Sequence, residues 1–345
     1  MATVRLGIDQ EQEKDFEVQW NRIRSRAVGM LAFFGAIGAS AAVGSASASE
    51  ANGYPNRSVR LVVPYAAGAT TDTLARSIAQ KLEGMWKQNV VVENLPGGGG
   101  LSGAGTVSRT PPDGYTFVIV TTSHVISPAI MARPPFDPIK NFTPVTLLAK
   151  SPGLLIAGKQ SGINTFADMV KLGKEKGLTY GTSGVGSKHH VVMAEIARLA
   201  NIKAEHVPYR GSSQAMNDIM GGHLPLQMGS ISFAKDFVIN DKVNGLAVVA
   251  EKRHPMLPNV PTVAELGIPV DSSEWWALLG PAGMPRAIVD KVAADVAEVL
   301  KSPEIKARMP SDELISTTPE ELVRILQDEA KVSGEMATKA GIRID

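Results

Sequence analysis

Three short segments of this sequence place small residues and hydroxyls directly between an apolar run and a helical pattern. PYAAGATTD (64–72) carries Tyr65, Ala67, Gly68 and Ala69, then Thr70, Thr71 and Asp72. GTSGVGSKHH (181–190) carries Thr182, Ser183 and Ser187, with Lys188 and His190 beside them. VPYRGSSQ (207–214) sets Arg210 and Gly211 before a serine pair. The chemistry these segments support is capture of an anion. The first N–H groups of a helix have no intrahelical partner and carry the positive end of its dipole. Small residues let a ligand approach that backbone, hydroxyls add hydrogen bonds, and Lys188 supplies a full charge. One such loop is ordinary. Several in one alternating chain converge, because ligands of open α/β sheets sit beyond the carboxyl ends of the strands.

A further segment, ENLPGGGGLSGAG (93–105), has G-x-G-x-x-G spacing at Gly98, Gly100 and Gly103. A dinucleotide site requires an acid at the end of the next strand. That strand ends in Thr121, Thr122, Ser123 and His124, with no carboxylate. No Lys-Ser/Thr pair follows the glycines, so a P-loop is excluded. The glycines are predicted to form a tight turn with positive φ. Ser187 and His190 raise the alternative of an exported α/β hydrolase with a nucleophile and base. Val185 breaks the G-x-S-x-G elbow, no acid is placed to orient the histidine, and the pair reads better as a helix cap plus a surface histidine. His189 and His190 are adjacent and diverge, and His124, His206, His223 and His254 are isolated, so neither metal nor cofactor is expected. Trp275 and Trp276 either line a cleft or fill the core.

The elements that must carry these segments follow from hydrophobic periodicity. Strands are expected at 59–65, 89–94, 115–122, 153–158, 178–182, 205–209, 224–229 and 245–250. Helical patterns lie between them, as in βαβ architecture with mostly parallel sheets. Leu74, Ile78 and Leu82 share one helix face; Val192, Ile196 and Leu199 share another. Thr165 with Asp168, and Thr318 with Glu321, read as capping boxes. The last third shows two long helical patterns without strands, a buttress against a sheet already built.

The chain has 345 residues, net charge +1, 5% aromatic residues and no cysteine. A nucleic-acid surface, disulfides, thiolate catalysis and Cys-based metal sites are thereby excluded. Arg22, Arg24 and Arg26 precede an apolar stretch and the small-x-small site Ala46-Ser47-Ala48, the order of a cleaved export signal spanning 1–48. Residues 1–17 fit that signal poorly, with five acids, and a start at Val18 is compatible with the pattern. Removal of 1–48 takes away five basic and five acidic residues, leaving the net charge at +1.

Seven motifs occur in order: YPNRSVRLVVPYAAGATTDTLAR, VVVENLPGGGGLSGAGTVSRTPPDGYTFVI, FDPIKNFTPVTLLAKSP, GTSGVGSKHH, VPYRGSSQAMNDIMGGHLPL, HPMLPNVPTVAELGIP and WWALLGPAGMP. With them the chain resembles the extracytoplasmic solute-binding receptors of tripartite tricarboxylate transporters, the Bug family. The resemblance implies an α/β periplasmic-binding-protein (Venus flytrap) fold, two lobes joined by two crossings. Lobe 1 is expected at 54–150 plus 251–345 and lobe 2 at 151–250, with hinges at AKSPG (149–153) and VAEKRHP (249–255). It further implies a periplasmic monomer without cofactor or nucleic-acid partner, which captures a small organic carboxylate and delivers it to membrane permease subunits. Docking on a signalling partner is the alternative outcome. PYAAGATTD would face GTSGVGSKHH and PYRGS across the cleft, with Thr122 and Ser123 nearby. Where many relatives have an acid, this chain has Gly229 and Ser230, which weighs against an amine on the ligand. Lys188 stands where relatives have a small or hydroxyl residue, which leans toward a second ligand carboxylate.

Overall fold

The computed structural model describes residues 53–270 and 273–344. The export segment expected at 1–48 lies outside the described residues. No described helix is long and apolar enough to cross a membrane.

Ten strands build two sheets that share one long strand, β4 (Phe142–Gly158). In the first sheet β1 (Val59–Val63) lies between β2 (Val90–Asn94) and β3 (Thr116–Thr121), all parallel. β9 (Ser273–Pro281) is inserted antiparallel between β3 and the first part of β4, and the short β10 (Glu313–Leu314) pairs with β4. In the second sheet the last residues of β4 pair with β7 (Leu226–Ser230) and β8 (Val243–Val249). β5 (Leu178–Thr182) runs parallel to β7 and to β6 (Ala204–Pro208).

Alternating side chains give each sheet two buried faces. Leu61 and Val63 join α1 (Thr70–Trp86), α8 (Arg286–Leu300) and α9 (Pro303–Arg308) through Leu74, Ile78, Val292, Val296 and Ile305. Val62, Val118 and Val120 meet the other side, with α2 (Leu101–Val107), α3 (Ser123–Ala129) and α10 (Pro319–Lys339). In the second sheet Leu155 and Tyr180 pack with α4 (Phe166–Glu175) and α5 (Lys188–Leu199). Leu154 and Ile156 pack with α6 (Ser212–Met220) and α7 (Ile231–Ile239). The α4 and α10 capping boxes form as expected on Thr165 and Thr318.

Seven of the expected strands appear within two residues of their anticipated ends, and the eighth, 153–158, is the second half of β4. The first half of β4, β9 and β10 were not anticipated. β9 sits between two strands and is covered on both faces, so SEWWALLGP lacks the polar–apolar alternation that marks a half-buried strand. Trp275 and Trp276 are core residues at 3% and 1% exposure. The stretch after β8, expected with the first lobe from residue 251, packs on the second sheet instead. Leu257 and Val260 join the α6–α7 side, and Val263, Ile268 and Val270 join the α4–α5 side.

The glycine run of 93–105 does serve a turn: Gly97, Gly98, Gly99 and Gly100 all have positive φ. Three residues on, Gly103 lets α2 lie against β1, and a Cβ there would come within 2.7 Å of Pro64 Cβ and 2.8 Å of the Leu95 carbonyl. Gly103→Ala is therefore expected to cost about 1–3 kcal/mol by overpacking. Gly84→Ala, in a helix with nothing within 4 Å of the new methyl, should stabilise by roughly 0.5–1 kcal/mol. Urea unfolding of the two variants checks both signs.

Candidate ligand-binding site

The strand registers decide where the loops gather. Thr121 at the carboxyl end of β3 pairs with Trp276, and Ser273, the first residue of β9, pairs with Pro152 at the crossing. Parallel pairing brings the end of β1 to the same edge. In the second sheet Ser230, the last residue of β7, pairs with Gly153, one residue past the crossing. β5 and β6 run parallel to β7 and end on the same side. The carboxyl ends of the parallel strands of both sheets thus point toward the crossing.

On the first-sheet side the loop 64–69 is held rigid by its own polar groups. The Asp72 carboxylate accepts from Gly68 N–H, Arg76 Nε and Asn94 Nδ2, each at 2.9 Å. Burial alone would raise this acid, but those bonds overcome it and keep its pKa below the usual carboxylate value. Asn94 also donates to the Tyr65 carbonyl, and Tyr65 OH lies 2.8 Å from Thr121 Oγ1. Thr71 Oγ1 accepts from Trp276 Nε1 at 2.9 Å. Asp72 and Thr71 are therefore engaged within the protein. What stays open is the backbone. The residue before α1 is Ala69, in extended geometry with no side-chain cap, so the first amides of a seventeen-residue helix have no resident side-chain acceptor among the described residues. Ala67 and Gly68 are exposed beside it. Thr122 precedes α3 without capping it, and its buried Oγ1 has no partner among the described residues.

On the second-sheet side Ser187 caps α5 by accepting from His190 N–H, as expected. His190 is not a surface residue: it is 7% exposed. Its ring stacks on His206 with centroids 3.7 Å apart, and its Nδ1 accepts from Gly186 N–H. Burial and the neighbouring His206 hold His190 down to about 3, and burial holds His206 down to about 4, so both rings are neutral near pH 7. With Ser187 capping a backbone amide, the pair is not arranged as nucleophile and base. Ser212 is the first residue of α6. The preceding Gly211, at φ 143°, leaves this helix start without a side-chain acceptor as well. Arg210 is exposed beside it, while Ser183 is half-buried and Ser230 accepts from Ser232 Oγ at the start of α7. Sequence reasoning missed Gln227, whose Nε2 donates to the Ser212 carbonyl at 3.0 Å and whose buried Oε1 has no partner among the described residues.

Lys188 does not reach toward these mouths. Its ammonium lies 2.6 Å from Glu329 Oε1 and 3.0 Å from Ser333 Oγ, both on α10. Trp275 Nε1 donates to the other Glu329 oxygen, and Val191 on α5 joins the first-sheet core. The pair therefore joins the two sheets' helices in a nearly dry interface. Removing one member of such a pair leaves a buried charge and costs roughly 3–5 kcal/mol. Lys188→Met should show a loss of that size in chemical unfolding, and Lys188→Met/Glu329→Leu should recover most of it.

Two acids stand beside the crossing, Glu274 on β9 and Asp312 just before β10. Glu274 is opposite the fully buried Ser151 in the β4–β9 ladder. Burial, then the Asp312 carboxylate, push Glu274 up to about 7, and burial pushes Asp312 up to about 6. The folded chain thus holds protons that the unfolded chain releases, and stability from this source is lost as pH rises toward 7. Relative to wild type, Glu274→Gln should gain melting temperature as pH is raised from about 5 to about 8, with no gain at the acid end. Calorimetric melting at several pH values tests this; a constant difference would contradict it.

Two α/β lobes that share a strand and turn their strand ends toward the crossing define a two-lobed solute-binding protein. The chain belongs to the tripartite tricarboxylate transporter receptor family, which it matches over residues 74–342. A UPF0065 protein from the tcbD-tcbE intergenic region of Pseudomonas sp. (strain P51) is 32% identical over 265 residues, 76% of this chain and 79% of that protein. The periplasmic binding protein BugD superposes with TM-score 0.78 at 29% identity, covering 84% of this chain and 99% of BugD. The R. palustris protein Rpa4515, solved with adipate, gives TM-score 0.79 at 32% identity, over 84% and 99%. The chain is accordingly a solute-binding receptor and not an enzyme.

Proposed function

We propose that this receptor is exported to the periplasm with residues 1–48 removed, captures a small organic carboxylate between its lobes, and delivers it as a monomer to the membrane subunits of a tripartite transporter. The observation that carries the reading is the pair of helix starts, α1 at Ala69 and α6 at Gly211, without side-chain acceptors at strand ends that point to one crossing. Three helices away from the crossing have caps from Thr165, Ser302 and Thr318, while α8 starts at Pro285 without one. A carboxylate supplies the acceptors that the open helix starts lack, gaining roughly 0.3–1 kcal/mol per helix end and more where partly buried. Rpa4515 with adipate, at 32% identity, supports this ligand class. Of the two basic residues expected at the mouths, Arg210 is the exposed one, and it is the candidate for a second ligand carboxylate. The lobes divide near Ser151–Gly153 on the way out, and on the way back between Val270, packed on the second sheet, and Ser273, paired in the first. Closure is favoured to the extent that the ligand binds the closed form more tightly.

Calorimetry against a carboxylate panel that includes adipate should give saturable one-to-one binding with no turnover. Ala69→Asp places a resident acid on the α1 amides and should weaken that binding by about tenfold or more. The free protein's melting temperature should hold or rise. Binding unaffected by Ala69→Asp, or no binding by any carboxylate, would sink the reading.

A further inference from the structure

β3 stops at Thr121, opposite Trp276, whereas its antiparallel neighbour β9 begins at Ser273 and so runs past that end. Glu274 therefore has Ser151 of β4 on one side and no strand on the other. It stands just beyond the carboxyl end of β3, where ligands of α/β sheets collect. Alternation puts its side chain on the face of Trp276. Trp276 belongs to the core under α1, and its Nε1 donates to Thr71 in the first turn of that helix. The Glu274 carboxyl thus lies on the α1 side of the sheet, at the edge from which α1 starts without a side-chain cap.

This carboxyl is not committed inside the protein. Glu274 is half-buried, its oxygens have no hydrogen-bond partner among the described residues, and neither oxygen is sealed from solvent. The nearby cations are spent elsewhere. Lys188 on α5, whose charge lowers Glu274 somewhat, is bound to Glu329 on α10. Lys235 on α7 is paired with Asp236, and Arg76 on α1 with Asp72. Lys150 precedes Ser151 and takes the other face of β4. Burial lowers the proton affinity of His254, after β8. Asp312, before β10, adds a second negative charge. The Glu274 charge also reaches the mouth of the first lobe: burial raises the Tyr65 phenol, the Thr121 hydroxyl offsets part of that rise, and Glu274 adds to it.

An anion held at the α1 amides meets this group. Against an ionised Glu274 the two negative charges repel in a poorly solvated cleft. A protonated Glu274 instead offers an O–H donor, and a carboxyl O–H to a carboxylate is among the stronger hydrogen bonds. We propose that Glu274 is a specificity-determining residue of the cleft, whose carboxyl O–H donates to the ligand carboxylate, so that each anion captured takes up one proton from solvent. The inference rests on the carboxylate reading given above. The proton stays on a Glu274 oxygen while the ligand is bound and returns to solvent after release. Burial and the Asp312 carboxylate already push Glu274 up to about 7 in the free protein, and a bound anion raises it further. Below that value the free protein carries the proton in advance. Above it the proton must be acquired on binding, so affinity falls as pH rises.

The test uses the whole chain and the panel carboxylate that binds it, adipate first. Calorimetry at about pH 8 in two buffers of unequal ionisation enthalpy should show uptake approaching one proton per ligand. Affinity should fall by about tenfold or more between about pH 6.5 and about pH 8.5, a range in which the ligand's own carboxylates stay ionised. Glu274→Gln, neutral at every pH and still a donor, should bind with neither the proton uptake nor the pH slope. Wild-type binding without uptake, affinity that rises with pH, or uptake unchanged in Glu274→Gln would overturn the inference and leave the carboxylate reading standing. Absence of binding by every panel member would bring down both. If Glu274→Gln fails to fold, Asp312→Asn assigns the proton: uptake retained supports Glu274, and uptake lost overturns it.

Discussion

The architecture depends on backbone amides that the chain itself leaves without acceptors. A helix start must find partners for its first N–H groups, and most described helices remote from the crossing find them in a threonine or serine one residue earlier. Thr165, Ser302 and Thr318 do this for α4, α9 and α10. α1 and α6 begin after Ala69 and Gly211, which offer no side-chain acceptor. These two helices follow parallel strands whose carboxyl ends point to the crossing. In the proposed reading an external anion supplies there the acceptors that the chain does not.

Such a site functions only if the groups around it do not collapse onto the amides. The structure prevents this by committing nearby side chains to other partners. Asp72, the nearest acid to the α1 start, is held by Arg76, Asn94 and the Gly68 amide. Thr71 serves Trp276, and Tyr65 serves Thr121. On the other lobe the buried His190 stacks on the half-buried His206 and both are neutral, so they add shape and hydrogen bonding without charge. Lys188 is tied to Glu329 across the α5–α10 interface, where it links the lobes at the cost of being available to a ligand.

β4 gives the two lobes a common strand, and its register transmits position between them. Pro152 pairs with β9 and the next residue, Gly153, pairs with β7 and β8. Glu274 and Asp312 cluster at this junction; burial raises the proton affinity of both, and the Asp312 carboxylate raises Glu274 further.

The sequence by itself determined the alternating α/β elements, the two capping boxes, the glycine turn and the three strand-to-helix loops, because each rests on chemistry within a few residues. Periodicity sufficed wherever a strand had its expected environment. It failed at β9 and at the first half of β4, where burial on both faces erases alternation, and so Glu274 stayed invisible as an acid half-buried in the ladder. The division between the lobes after residue 250 was also misplaced, since an irregular segment shows its side only by what it packs on. Only the tertiary structure decided which basic residue was spent. Lys188 and Arg210 look equally available in the sequence. Their fates depend on Glu329, more than a hundred residues away from either, and contacts at that separation are fixed by packing and not by local pattern.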